Sequence, residues 1–315
     1  MPTSRSTAQN NSLEDLAVAL CWGAWAELGV SGWSRTHREW AIDPEPLIVF
    51  TAWMGDVDRR LRDESLDWCI RYWRHVSKVR LKNLRSRDLA DDLHDAWGEY
   101  AATVNARARV AWPRPTRALA RYQATGRSTL RPLTEPSLVC LRMRAMFGLG
   151  ARTEIMRKLL FERDRWMTVA QLANATAYAK RNLAHECDTL ERAGVLAMRA
   201  ESNRFYYSLA HPDALADFVG DLPAIRPNWR ALFDLLTLLI ALERQAETLS
   251  DEALHVEMHT TMREIDDDLD ALGFGGPGRA SDLEYRDTYL PWAERLLRDL
   301  AAGTWPGADR TPPRA

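Results

Sequence analysis

The sequence predicts a mostly α-helical fold that carries one small β-hairpin. Apolar residues recur at helical spacing over the first 110 residues, and helical patterns return after residue 227. Near residue 194 the pattern changes to two short β-prone runs joined by a turn composition. The predicted order is an unstructured lead at 1–11, a helical domain at 12–110, a linker at 111–137, a helical domain with the hairpin at 138–220, a C-terminal helical region at 221–302 and a tail at 303–315.

Composition places the chain among ordinary globular proteins. Its 315 residues suffice for two or three cores, with 46% apolar and 27% charged residues. No run of about 18 apolar residues is present, so we expect no membrane span, and the first residues lack the apolar core of a signal peptide. Four widely spaced cysteines without a CxxC pair favour reduced thiols in the cytoplasm over a zinc module.

Helix signals define the N-terminal region. One apolar face is expected in the stretch 13–28, formed by Leu13, Leu16, Ala17, Leu20 and Ala24. Asp43 followed by Pro44 predicts a helix start with the aspartate as cap. A second buried stripe is expected at Leu61, Leu66, Ile70 and Trp73, and Ser77 is expected to cap a further short helix. The tryptophans of residues 22–97, with His37 and Arg38 nearby, are expected to form core rather than an effector pocket.

Two later segments raise questions of packing. Residues 111–137 contain four prolines and five arginines, which favours a solvated basic linker over a linker whose arginines contact a phosphate backbone. Residues 227–247 are apolar on most helix faces, so something must bury them. A homodimer is the expected solution, and the alternative is a monomer in which the N-terminal domain covers this helix.

Residues 168–210 read TVAQLANATAYAKRNLAHECDTLERAGVLAMRAESNRFYYSLA. After a first helix at 151–162, Thr168 and Gln171 form a capping-box pattern, TAY makes a turn, and a further helix is expected at 177–193. Gly194 is expected to end that helix. The runs VLAMRA and RFYYSLA then predict a hairpin. Three helices and a hairpin in this order predict a winged helix-turn-helix.

The 177–193 helix is predicted to carry a DNA-reading face. Leu183, Cys187 and Leu190 define its buried side. Arginine and asparagine pair with guanine and adenine edges, while lysines and hydroxyls bind phosphate. The candidate DNA-binding residues are Tyr178, Lys180, Arg181, Asn182, His185 and Thr189 on or beside the helix, and Arg199, Asn203 and Arg204 on the hairpin.

Charge is distributed unevenly along the chain. The whole sequence has a formal charge of −2, but residues 140–209 carry +5 and residues 210–315 carry −10. A basic middle segment is typical of a local phosphate-binding surface. A random distribution of surface charge is the alternative.

Residues 150–209 resemble the DNA-binding domain of winged-helix transcriptional regulators of the ArsR and MarR type, with LANATAYAKRNLAHECDTLERAGVL as the core of the match. The resemblance implies that Tyr178, Lys180, Arg181, Asn182 and His185 contact double-stranded DNA and that the hairpin contacts an adjacent groove. It implies a sequence-specific transcriptional regulator. The cysteine-pair metal motif of ArsR-type sensors is absent. A weaker resemblance is to type IV antitoxins, in which the winged helix usually comes first.

The remaining motifs predict neither catalysis nor a cofactor. His255 and His259 lie one helical turn apart but no third metal ligand is indicated, and GFGGPG follows no strand that would make it a phosphate loop. No nucleophile–base set has an interpretable context, so we expect no enzyme activity, no cofactor and no metal site. A small-molecule or protein effector is left unidentified. The alternative function is a protein-interaction module or an antitoxin-like partner protein.

Overall fold

Most of the described chain is helical. The computed structural model describes residues 12–84, 91–278 and 283–306, so the predicted lead at 1–11 and most of the tail lie outside it. The helices are α1 (Leu13–Leu28), α2 (Pro44–Trp53), α3 (Arg59–Tyr72), α4 (Lys78–Asn83), α5 (Asp91–Ala108), α6 (Val139–Phe147), α7 (Ala151–Phe161), α8 (Val169–Thr176), α9 (Lys180–Arg192), α10 (Pro212–Val219), α11 (Trp229–Ala246), α12 (Asp251–Leu272) and α13 (Leu290–Ala301). A small antiparallel sheet has the order β1 (Met167–Thr168), β3 (Arg204–Leu209), β2 (Leu196–Glu201).

The first core combines the two ends of the chain. Helices α1, α2, α3 and α5 pack together with α11, α12 and α13 around one continuous apolar cluster. Polar contacts add to it: the indole of Trp229 donates to the carbonyl oxygen of Ala41 at 2.6 Å, and a His37 ring nitrogen lies 2.8 Å from the carbonyl oxygen of Leu300. The prediction of a separate N-terminal domain and C-terminal region is therefore wrong, because neither half closes this core alone.

Most tryptophans of the N-terminal half are core residues, as the sequence predicts, although Trp33 is 46% exposed. Trp25, Trp40 and Trp68 are fully or almost fully buried, and the rings of Trp25 and Trp68 meet edge to face at 5.6 Å. His37 is also buried, against Trp40. This region therefore holds packed rings where an effector pocket would need open space.

The apolar surface of α11 is covered within the chain. Its buried residues, Leu232, Leu235, Leu236, Leu239 and Ile240 among them, face α1, α2 and α12. The expectation that a second copy must cover them is wrong, and the monomeric alternative accounts for their burial. The homodimer was predicted from an exposed apolar face on α11, and that face is not exposed.

Residues 111–137 form a strap on the first core. No helix or strand occurs between 111 and 135, as the prolines predict. Four of its five arginines are exposed, as expected of a solvated basic linker, but the segment is also anchored: Trp112 is buried and stacks on Trp97 at 6.1 Å, and Arg131 Nε donates to the carbonyl oxygen of Ala26. The strap also approaches Gly29 so closely that a Cβ there would lie 1.7 Å from the carbonyl oxygen of Thr129.

The second core contains α6 to α10 and the sheet. The capping box predicted at Thr168 and Gln171 is formed, with the Thr168 side chain accepting from the amide of Gln171. Gly194 adopts a left-handed φ of +73° after α9, as expected for a helix stop. Strand β1 was not predicted, because two residues are too short for a periodic pattern. It pairs Met167 with Tyr207 of β3.

Truncating α11 should destabilise the monomer itself. Leu236→Ala is expected to lower the free energy of unfolding by about 2–5 kcal/mol, because the cavity forms inside the first core. Urea unfolding followed by circular dichroism measures this. The matched control is Leu238→Ala on the same helix, where the side chain is only half-buried and the loss should be smaller. An unfolding midpoint that rises with protein concentration would show instead that a second copy stabilises this helix.

Candidate nucleic-acid interface

Helix α9 presents a polar face opposite its core face. Leu183, Cys187 and Leu190 are buried, which confirms the predicted inner side. On the outer side, four predicted residues are exposed: Lys180, Arg181, Asn182 and His185. The side chains that can donate to base edges or phosphates thus lie together near the N-terminal end of the helix.

Thr189 sits less openly on the same helix. It is half-buried, and its hydroxyl donates to the carbonyl oxygen of His185 at 2.9 Å. Only its remaining lone pairs are left for an external donor. Thr189 is therefore a weaker candidate for phosphate contact than the residues one and two turns before it.

Tyr178 does not share the exposed face. It is buried, and its hydroxyl oxygen lies 2.9 Å from Oγ of Ser77, which precedes α4. The predicted exposure is wrong because the helix starts only at Lys180. Ala177 has a left-handed φ of +55°, so the regular projection of 100° per residue does not extend back to Tyr178.

The hairpin β2–β3 presents Asn203 and Arg204 at its exposed tip. Arg199 is held against the sheet: its guanidinium lies 4.7 Å from the ring centre of Trp166 and 5.6 Å from that of Tyr206, and it pairs with Glu201 at 3.1 Å. The side chain of Arg199 is therefore engaged by contacts within the hairpin and with Trp166, while Arg204 is exposed at the tip.

Two of the three acidic residues on α9 are paired with arginines. Glu186 accepts from Arg152 of α7 at 3.1 Å, and Asp188 pairs with Arg192 at 3.3 Å. Exposed pairs of this kind add little stability. They do reduce the negative charge beside the polar face of α9.

A buried ion network lies beneath this surface, where the two cores meet. We call it the junction network. It contains three acids and three arginines from four helices or their starts: Asp43, Glu45, Arg80, Arg144, Glu154 and Arg157. All six are buried.

Two arginines bridge the carboxylates of the junction network. Arg80 binds both oxygens of Asp43, at 2.5 and 2.6 Å, and also contacts Glu45. Arg144 donates to Glu45 at 2.8 Å and to Glu154 at 2.8 Å. Arg157 closes the network on Glu154 at 2.7 Å. Since Glu45 belongs to α2 and Glu154 to α7, Arg144 ties the first core to the second.

The arginines keep two of these acids charged. Burial alone would raise the pKa of Asp43, but the charges of Arg80, Arg157 and Arg144 outweigh burial and hold that pKa well below its ordinary value. Burial would also raise the pKa of Glu154. The positive charges of Arg157, Arg144 and Arg80 outweigh burial and lower that pKa to about 2. Asp43 was predicted as the cap of α2. It does occupy the N-cap position and α2 begins at Pro44 as predicted, but its carboxylate is engaged by Arg80 and forms no capping bond.

The junction network continues into the turn between α8 and α9. Arg80 Nε donates to the carbonyl oxygen of Thr176 at 3.0 Å, and Asn83 Nδ2 donates to that of Ala177 at 3.1 Å. Together with the Ser77–Tyr178 contact, these bonds attach α4 directly to the turn that precedes α9. Sequence reasoning missed this attachment because it joins residues about 95 positions apart.

The other chemical motifs stay without a site in the described ranges. The rings of His255 and His259 lie 4.5 Å apart, but no group of three potential metal ligands occurs among the residues that the structure describes. Among the described helices, none combines the length and apolarity needed to cross a bilayer.

Comparison of the chain with protein-family models, curated proteins and solved structures finds no match.

Removing a carboxylate from the junction network should be costly. Glu154→Gln leaves Arg144 and Arg157 without their shared partner and is expected to lower the free energy of unfolding by about 3–5 kcal/mol at pH 7. Denaturant unfolding measures the loss. Glu162→Gln, at the residue that follows the same helix, is the control: its partner Lys158 is partly exposed, so that loss should stay below about 1 kcal/mol.

The same pair of proteins tests the pKa of Glu154. Its folded pKa of about 2 lies below the ordinary 4.5, so its stabilisation is complete above pH 4.5 and is lost as the pH falls towards 2. The stability difference between wild type and Glu154→Gln should therefore shrink between pH 6 and pH 3. A constant difference over that range would contradict a paired, ionised Glu154.

Proposed function

We propose that residues 150–209 form a winged helix-turn-helix that binds double-stranded DNA in a sequence-specific manner, and that the protein is a transcriptional regulator. The observation that carries the proposal is the exposed set of Arg181, Asn182 and His185 on one face of α9, with the exposed Lys180 flanking it. The element order α7–β1–α8–α9–β2–β3 supports it, with the hairpin beside the helix.

In this proposal α9 enters the major groove by its N-terminal end. Arg181 is placed to donate to a guanine and Asn182 to bond an adenine, each the preferred base of that side chain. Lys180 and His185 contact the bordering phosphates. Arg204 and Asn203 at the hairpin tip bind phosphates of the adjacent groove, and Tyr178 contributes indirectly by fixing the start of α9.

The distribution of charge agrees with this orientation. Residues 140–209 are net positive and residues 210–315 strongly negative, so a polyanion is attracted to the second core and repelled by the C-terminal helices. The four cysteines are free and buried thiols, which supports function in the reducing cytoplasm.

A homodimer on DNA would place two α9 helices about 34 Å apart, one turn of the duplex. Such a dimer has to use a surface other than that of α11, which the first core already covers. Sedimentation of the protein alone and with operator DNA gives the stoichiometry of both states.

A protein-interaction role is the second candidate, and it rests on exposed apolar side chains. Phe205 is 55% exposed on the hairpin and Phe218 is 66% exposed on α10. Larger exposed apolar patches mark contact sites for other proteins. An antitoxin-like partner protein would co-purify with the product of a neighbouring gene and would show no salt-sensitive binding to DNA.

A gel shift with the DNA upstream of the protein's own gene separates the two candidates. DNA binding predicts a retarded complex that weakens as salt rises from 50 to 200 mM, because phosphate contacts release counterions. Equal retardation of unrelated DNA would leave binding non-specific. No retardation of any duplex would contradict the proposal.

Base reading predicts a specific loss. Arg181→Ala and Asn182→Ala should each weaken operator binding by about 1–3 kcal/mol and relax the sequence preference at one position. Fluorescence anisotropy with matched and mismatched duplexes measures both effects. Arg192→Ala is the control, since this exposed arginine at the opposite end of α9 pairs with Asp188. Equal losses on all sequences would make Arg181 and Asn182 phosphate contacts.

Phosphate binding by the hairpin predicts a different signature. Arg204→Ala should weaken binding to every duplex alike and lower the slope of log affinity against log salt by about one. Arg263→Ala on α12 removes an exposed arginine from the acidic C-terminal region and should leave the slope as it is. An unchanged slope for Arg204→Ala would remove the hairpin tip from the interface.

A further inference from the structure

The few lysines of this chain are concentrated beside α9. Only four of its 42 basic residues are lysines, at positions 78, 82, 158 and 180. Lys180 begins α9, and Lys78 and Lys82 belong to α4, which is bonded to the turn before α9. Lys158 lies on α7, where it pairs with Glu162.

Helix α4 uses one face for attachment and the other for its lysines. Ser77, Arg80 and Asn83 follow each other at steps of three and all bond the α8–α9 turn. Lys78 and Lys82 lie one helical turn apart on the opposite face, where both are exposed. The attachment therefore fixes where the two ammonium groups stand relative to α9.

The spacing fits a duplex that receives α9. A helix with its side chains is about 10–12 Å across, and the major groove is about 12 Å wide. Because α4 lies against the turn that leads into Lys180, its outer face is expected within about one to two helix diameters of the N-terminal end of α9. Phosphates that border the groove lie within about one groove width, roughly 12 Å, of a side chain inside it.

The electrostatic surroundings leave these lysines available for an anion. The nearby carboxylates of the junction network are buried and bound by arginines. Among the described side chains, neither Lys78 nor Lys82 forms an ion pair. Lysine is a compact point charge that binds phosphate without reading a base.

We propose that α4 of the first core is part of the DNA interface, with Lys78 and Lys82 binding phosphates that flank the segment contacted by α9. This inference rests on the proposed function. It makes the first core a contributor to affinity, whereas the winged helix alone would supply the sequence preference.

The test compares wild type with the double variant Lys78→Gln/Lys82→Gln on the upstream duplex over a range of salt concentrations. Two lost phosphate contacts should lower the slope of log affinity against log salt by about two and leave the preference between matched and mismatched duplexes unchanged. Arg298→Gln, which removes an exposed charge from α13, is the control and should keep the wild-type slope. If wild type and the double variant both bind DNA with the same slope of log affinity against log salt, this inference is wrong and the proposed function is unaffected.

Lysine-selective acetylation of the wild-type protein gives a second measurement, the reactivity of each lysine with and without DNA. It does not depend on whether a variant folds. Bound duplex should protect Lys78 and Lys82 together with Lys180, while Lys158 should react equally with and without DNA. Protection of Lys180 alone would overturn the role of α4. Absence of any DNA binding by wild type would overturn both the proposed function and this inference.

Discussion

Six ionisable side chains sealed between the two cores, three arginines and three carboxyls, constrain the rest of the molecule. Ions taken out of water are stable only when each meets an opposite charge at hydrogen-bonding distance. In the junction network Arg144 meets this demand by contacting Glu45 of α2 and Glu154 of α7 at once. An apolar contact of the same area could slide, but this one has a single register. The network therefore specifies how the cores are placed more than it adds stability, because well-packed apolar residues of similar volume can be equally stable.

That fixed placement reaches the candidate interface through α4. The Nη atoms of Arg80 donate to Asp43 in the junction network, and its Nε atom donates to the carbonyl oxygen of Thr176 where α8 meets the turn before α9. One side chain thus couples the docking of the cores to the start of α9. A reading helix loses specificity when its first turn shifts, because bidentate contacts to bases require defined geometry. In the proposed complex with DNA, the position of the first core would therefore help to orient Arg181 and Asn182.

The features that the sequence predicted are those encoded within a few residues. The capping box at Thr168, the stop at Gly194 and the inner face of α9 depend on neighbours up to one or two helical turns away. The errors concern contacts between distant segments. The burial of Tyr178 requires Ser77, and the covering of α11 requires α1 and α2. The prolines of residues 111–137 predicted an irregular segment. They carry no information about the stacking of Trp112 on Trp97, because that contact joins the segment to α5.

The choice of basic residue at each place follows from geometry. A guanidinium presents five donors in a planar fork, so one arginine can satisfy two carboxylates at once, as Arg80 does at the start of α2 and Arg144 does between α2 and α7. An ammonium group has its three donors on one atom and cannot form the planar, bidentate contact that Arg80 makes with both oxygens of Asp43. Arginine is accordingly the residue found inside the junction. The lysines of α4 lie on its outer face, where a strongly hydrated point charge can approach a phosphate without a fixed orientation. The same short helix thus separates a buried, directional use of positive charge from an exposed, non-directional one.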